Sequence, residues 1–257
     1  MSLFYKEVSK RVREEKPEFS AGAKLVDNFV DSLEKQGLLP KKLPEQVRPK
    51  LAEKPQETTV AEQLILRERF TEEEKEALRN NGAVIYTLGG ETILSQKEAQ
   101  RAKRKPSFVY VVNAGERLLA VPAKQCQVAI FPAPEEFFVP CSFSKDTQTQ
   151  ERLAAEDAKR LGLESVTQII PDEAATLTEI TFQHQDATGV WLFGKEYAAA
   201  QGLDWVHGRT KNPTNSSGSG VAGVGDADPD DGLIVGGWIR GDGHLLVGAV
   251  RLVVPKF

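Results

Sequence analysis

The carboxyl-terminal stretch constrains this chain most. Between Gly218 and Gly248 stand 10 of its 21 glycines, with Asp226, Asp228, Asp230, Asp231 and Asp242 among them. Such a composition has few side chains to bury and a large backbone entropy to lose, so it normally belongs to a floppy tail. This one is threaded with Val221, Val224, Leu233, Val235, Trp238 and Ile239 and closed by the β-prone run Val250-Arg251-Leu252-Val253-Val254. It therefore reads as ordered backbone, pinned by apolar anchors and carrying small, changeable side chains. Alternation along extended chain predicts that Val221, Val224, Leu233, Val235 and Trp238 point inward. It offers Gly220, Gly223, Gly225, Asp226, Asp228, Asp231, Ile234, Gly236, Gly237, Gly241, Asp242, Gly243 and His244 to the outside, with a changeable region of about 218–246.

The rest of the chain divides by texture. Leu25, Val26, Phe29, Val30 and Leu33 recur at helical spacing between Gly22 and Gln36, and prolines at 40, 44, 49 and 55 make residues 39–57 a linker. A second helical run, Val60 to Asn80, ends at the Asn81-Gly82 turn signal. Residues 1–80 thus form a charged helical amino-terminal region, either a short bundle or an arm through which the chain oligomerises. From residue 81 the pattern is mixed α and β, with strands expected over Ala83–Leu88, Ser107–Asn113, Arg117–Pro122, Gln127–Phe131 and Phe137–Pro140. The charged run Gln96–Lys105 reads as a solvated helix end. Two amphipathic helices follow. One runs from about Asp146 to Leu161 with Gly162 as its stop; the other starts after Pro171 with Asp172 as its cap. Helical periodicity then ceases, and Val247–Val254 reads as a closing strand. The expected fold class is α+β.

Composition narrows the function. A net charge of −4 with 27% charged residues gives no electrostatic case for nucleic acid. No apolar run approaches the roughly 20 residues of a membrane span, and Met1–Lys16 is charged where a signal peptide needs an apolar middle, so cytoplasmic location is the default expectation. The two cysteines, Cys126 and Cys141, lack CxxC spacing and predict neither a disulfide framework nor a zinc module.

One absence bears on the changeable region. From Asn212 to Pro255 there is no Lys, Glu, Gln, Met, Tyr, Phe or Cys, although Lys, Glu and Gln abound earlier. Gly, Asp, Ser, Ala, Ile, Leu, Arg and His are largely the residues reached when the adenines of a pyrimidine-ending asparagine codon are replaced. Chance bias in a glycine-rich loop gives the same absence.

The chain resembles the variable proteins of diversity-generating retroelements from about Phe137 onward. The likeness is carried by Phe138-Val139-Pro140, Ala158-Lys159-Arg160-Leu161-Gly162-Leu163 with Val166-Thr167, and Ile170-Pro171 leading into Ala174–Glu179. It continues through Ala187-Thr188-Gly189-Val190-Trp191-Leu192-Phe193-Gly194 before Tyr197, Arg209-Thr210, and the ending Gly248–Pro255. The resemblance implies a C-type-lectin-like domain related to formylglycine-generating enzymes, on which adenine-directed mutagenesis rewrites a solvent-facing surface. It implies a ligand-binding display protein with an unknown protein or other macromolecular partner and no cofactor, and scaffold residues Trp205, Leu233, Trp238 and Arg251 beneath the surface.

Other motifs are weaker. Asp226-x-Asp228-x-Asp230-Asp231 begins like a calcium loop, yet Asp231 stands where glycine is needed and Gly237 where a bidentate Glu is needed, so no metal is expected. The cysteine chemistry of formylglycine-generating enzymes has no counterpart after Cys141. His184, His207 and His244 have no ligand spacing, and His184 with Asp186 has no nucleophile elbow nearby. Gly218-x-Gly220 and Gly223-x-Gly225 lack the following helix and lysine of a phosphate loop. Asn215-Ser216-Ser217 matches a glycosylation sequon. Trp205 fits either a pocket wall or, more commonly, a core position. The first expectation is a binding module; a fixed structural surface and, behind it, a formylglycine-type enzyme or hydrolase are the alternatives.

Overall fold

A computed structural model describes residues 66–257 except 104 and 112–115. The helix over 22–36, the linker over 39–57 and the start of the run from Val60 lie outside the described residues. In chain order the elements are α1 (Glu72–Asn80), β1 (Val84–Thr87), α2 (Ile93–Ala102), β2 (Ser107–Val111), α3 (Glu116–Ala120) and β3 (Gln127–Ile130). Then come α4 (Thr147–Ala158), β4 (Val166–Gln168), α5 (Ala174–Thr188), α6 (Lys195–Ala200), β5 (His207–Pro213), β6 (Gly220–Asp228), β7 (Gly232–Ile239), β8 (Val247–Gly248) and β9 (Val253–Pro255).

They build an α+β unit with two sheets. One has four strands in the order β1-β3-β9-β4, all antiparallel; the other has five, β2-β7-β6-β5-β8, with parallel pairs at its two margins. The closing run read as one strand is instead divided: Val247–Gly248 lies parallel to β5 in the larger sheet, and Val253–Pro255 pairs with β3 and β4 in the smaller. Between them the chain bonds Phe137–Val139 (Val139 N to Ala249 O, Arg251 N to Phe137 O, both 2.8 Å). Gly248 permits the passage, since a Cβ there would stand 2.8 Å from the Phe143 ring and 2.9 Å from that of Phe138.

Local chemistry explains most helix ends. Thr71 and Glu74 close a capping box at α1, and Asp146 caps α4 by accepting from Thr149 N at 2.7 Å. A short 3-10 turn then leads to Gly162, whose φ of 66° ends the helical run. Helix α1 buries Leu78 with Phe70, Ala129, Phe131 and Val253, so among the described residues the compact unit includes α1, upstream of the boundary at 81 read from sequence.

Three further readings are corrected. Arg117–Pro122 is not a strand: Glu116–Ala120 is helical, as Glu-Arg-Leu-Leu-Ala has no β-branched residue and good helix formers. Asp172 does not cap α5; it pairs with Lys211 at 2.8 Å, and Ala174 N finds Asn212 Oδ1 of β5 at 3.1 Å. Helix α6 breaks the expected absence of helix after α5; six residues are too few to display a period. Among the described residues no helix is long and apolar enough to cross a membrane.

The main core gathers Phe137, Phe138, Phe193 and Tyr197 edge to face, with ring centroids 4.9 to 6.1 Å apart, beneath the buried side of α5 and the inner face of the larger sheet. The buried Asp157 at the end of α4 receives Arg251 Nε at 2.8 Å, Gln168 Nε2 at 2.9 Å and Arg160 Nη1 at 3.1 Å. Burial alone would raise its pKa, but the Gln168 bond and the two guanidinium groups outweigh that and hold it below the ordinary range. Its stabilising contribution is present above the unfolded-state value, about 3.9, and is lost as pH falls through the folded value. Asp157→Asn is expected to lower stability at pH 7 and to make the melting temperature fall less between pH 5 and pH 2 than in the parent, measured by calorimetry. An unchanged acid slope would show that the network contributes nothing to acid stability.

Candidate functional site

Register decides what shares a face. Gly225 lies between His207 of β5 and Ile234 of β7, Gly223 between Arg209 and Gly236, and Val221 opposite Trp238. His207, Arg209, Val221, Gly223, Gly225, Ile234, Gly236 and Trp238 therefore occupy the outer face, and Ala222, Val224, Leu233 and Val235 the core face. The expectation that Val221, Val224 and Trp238 all point inward with Leu233 and Val235 is corrected by the period of two: 221 and 224, like 235 and 238, differ by an odd number. Val221 is buried all the same, on the outer side.

That face carries a row of rings. The centroid of His207 is 5.4 Å from both Trp205 and Trp238, the two indoles are 6.3 Å apart, and His244 lies 4.3 Å from Trp238. Trp205 and Trp238 are half-buried, so they form the surface instead of supporting it from below. The Trp238 indole packs against Gly223, where a Cβ would meet Nε1 at 2.5 Å and Cδ1 at 2.6 Å. His207 is 2% exposed, with its Nδ1 unpartnered, and Trp238 Nε1 and Arg209 Nε are likewise buried without a partner. Burial, with a smaller push from His244, moves the His207 pKa down to about 4, so the imidazole is neutral at pH 7. Burial and then Arg209 lower that of His244 as well.

Next to the rings, Arg209 is 1% exposed and lashes two loops together. Its Nη1 donates to Ile239 O at 3.3 Å and Thr147 Oγ1 at 3.4 Å, and its Nη2 to Asp242 O at 3.2 Å and Lys145 O at 3.4 Å. Thr147 donates to Arg240 O through both N and Oγ1, Gln150 Nε2 to Val247 O and Ser142 O, and Ser144 N to His244 O. The segment 239–247 is thus gripped largely by its own carbonyl oxygens.

The expected outward residues divide. Asp231, Gly241, Asp242 and Gly243 are exposed; Asp226, Asp228, Ile234, Gly237 and His244 are half-buried; Gly220, Gly223, Gly225 and Gly236 are buried. Four of the glycines are not free positions. A Cβ would stand 2.1 Å from Val206 O at Gly225, 2.3 Å from Ser144 O at Gly243, 2.3 Å from the Thr214 hydroxyl at Gly220, and against the indole at Gly223. Gly236 and Gly241 have room. Leu233 lies beneath, as expected, but Arg251 does not: it pairs with Asp157 and stacks 4.2 Å over the Phe131 ring, against the smaller sheet.

The aspartates have separate duties. Asp228 Oδ1 accepts from Asp230 N at 2.8 Å and Asp231 N at 3.4 Å, closing the hairpin turn, so the alternating acids shape a turn. Asp226 sits in left-handed backbone at φ 48°; burial and then the charge of Asp228 raise its pKa, and no described side chain donates to its carboxylate. No group of three or more His, Cys, Asp or Glu among the described residues is placed to hold a metal. His184 bonds Tyr86 at 2.6 Å, and Asp186 takes Lys103 and Lys105, each at 2.7 Å. Sequence reading missed His207 and Arg209 as partners on this face; the signal present was their alternation along β5. Comparison with protein-family models, curated proteins and solved structures finds no match to this chain.

Gly225→Ala, which drives a methyl into backbone, is expected to cost about 1–3 kcal/mol, as overpacking does. Gly241→Ser is expected to stay within about 0.5 kcal/mol, as exposed changes do. Urea unfolding of both variants checks this; equal losses would mean that the glycines are not divided by what surrounds them.

Proposed function

We propose that the outer face of β5, β6 and β7, with the loop 239–247, is the ligand-binding surface of a display protein of the retroelement-diversified kind, on a C-type-lectin-like scaffold. The observation carrying this reading is the grip on main-chain oxygens by Arg209, Thr147 and Gln150. A loop so held keeps its course whichever side chains it bears at 241, 242 and 244. Binding is preferred to catalysis because both histidines on the face meet tryptophan rings, and neither hydrogen-bonds a hydroxyl or thiol among the described residues. The partner is a protein or other macromolecule, and no cofactor enters the reading.

The encoding DNA provides the direct test. A near-identical repeat of the 218–246 coding segment, differing at adenines, is expected close to the gene; its absence favours a fixed interaction surface. At the protein level, Arg209→Met leaves several carbonyls without donors and is expected to cost about 2 kcal/mol, in the range for unsatisfied buried groups. Hydrogen exchange should quicken in 239–247 with little change in α5. Uniform acceleration along the chain would show that Arg209 serves the whole fold and not this loop.

A further inference from the structure

The chemistry of the ring row points to the kind of group it receives, an inference that rests on reading this face as a binding surface. Trp205 and Trp238 present half-buried indoles, and His207, sealed below them and edge-on to both, adds no positive charge. Asp226 N bonds Val206 O at 2.9 Å, which brings Asp226 beside the residue that joins Trp205 to His207. Asp226 is half-buried, and no cation among the described residues pairs with its carboxylate. Between residues 204 and 245 the chain has Asp204, Asp226, Asp228, Asp230, Asp231 and Asp242 against Arg209, Lys211 and Arg240.

All three of those cations are already engaged. Lys211 pairs with Asp172 and Glu151, Arg240 donates to Gly218 O and Lys211 O, and Arg209 is buried among carbonyls at the His244 end, with Asp146 and Asp242 near its charge. An indole face is electron-rich and attracts a cation, and a desolvated carboxylate without a partner strengthens that attraction.

We propose that Trp205 and Trp238, with Asp226 on the adjoining strand, receive the ammonium or guanidinium end of a lysine or arginine side chain presented by a protein partner. Charge complementarity selects this occupant over an acidic or a purely apolar one.

The test uses the full chain labelled with 15N and reads the indole N–H signals of Trp191, Trp205 and Trp238 during titration with three short peptides. They are identical except for one residue: lysine, its neutral near-isostere norleucine, or glutamate. The lysine peptide is expected to shift the Trp205 and Trp238 signals, leave Trp191 in place, and bind at least about fivefold more tightly than the norleucine peptide. Asp226→Asn, which keeps a residue tolerant of left-handed backbone, is expected to weaken the lysine peptide about threefold without changing the melting temperature. If the norleucine or glutamate peptide matches the lysine peptide, the face stays a binding surface and the cation assignment is overturned. Silence from all three overturns it as well, while the flanking-DNA test of the display reading stands or falls separately.

Discussion

The arrangement depends on one buried cation held without a carboxylate partner in direct contact. Arg209 spreads its charge over the oxygens of Ile239, Asp242, Lys145 and Thr147, and so ties the carboxyl-terminal loop to the segment that starts α4. A guanidinium presents a planar fork of donors that can serve several carbonyls at once, which a lysine cannot do. Because the acceptors are almost all main chain, the geometry of the loop is specified by residues outside it. This separates where the backbone goes from what it carries, the property that a surface of interchangeable side chains needs.

The separation is incomplete, and the glycines mark its limits. Gly225 and Gly243 are glycines because backbone of another segment occupies the space of a side chain. Gly223 is different: the occupant there is the Trp238 indole, so the two positions are coupled, and a side chain at 223 requires the ring at 238 to shift. An abundance of glycine, which in sequence looks like uniform freedom, resolves into places that close packing requires and places where solvent permits any residue.

This explains what was legible beforehand. Helix α4 from about Asp146 with its Gly162 stop, the strands β1 and β3, and the ordered nature of the glycine-rich stretch all follow from local chemistry that sequence displays directly. The missed features depend on pairings distant in sequence. Asn212 replaces a cap on α5 from 38 residues away, Arg251 turns to Asp157 across 94, and the closing run divides between two sheets because each half finds a different neighbour. Val224, Leu233 and Val235 do face the core, whereas Val221 and Trp238 depart from the inward set because strand parity, not hydrophobicity, decides which face a side chain takes. Val221 is fully buried on the outer side, directly across from Trp238 in the register.

If this face binds a ligand as proposed, Trp238 stands where the demands of stability and binding meet. Its ring covers Gly223, contacts His207 and His244, and still shows part of its surface to solvent. The cost of ordering it is met by the fold before any ligand arrives, so a bound group needs no rearrangement of the indole, and that preorganisation favours affinity. The same fixity makes 238 a poor place for variation. On the proposed reading, variation would fall on the rim, where Asp231, Gly241 and Asp242 stand in water and contribute little to the packing beneath, and spare the aromatic centre.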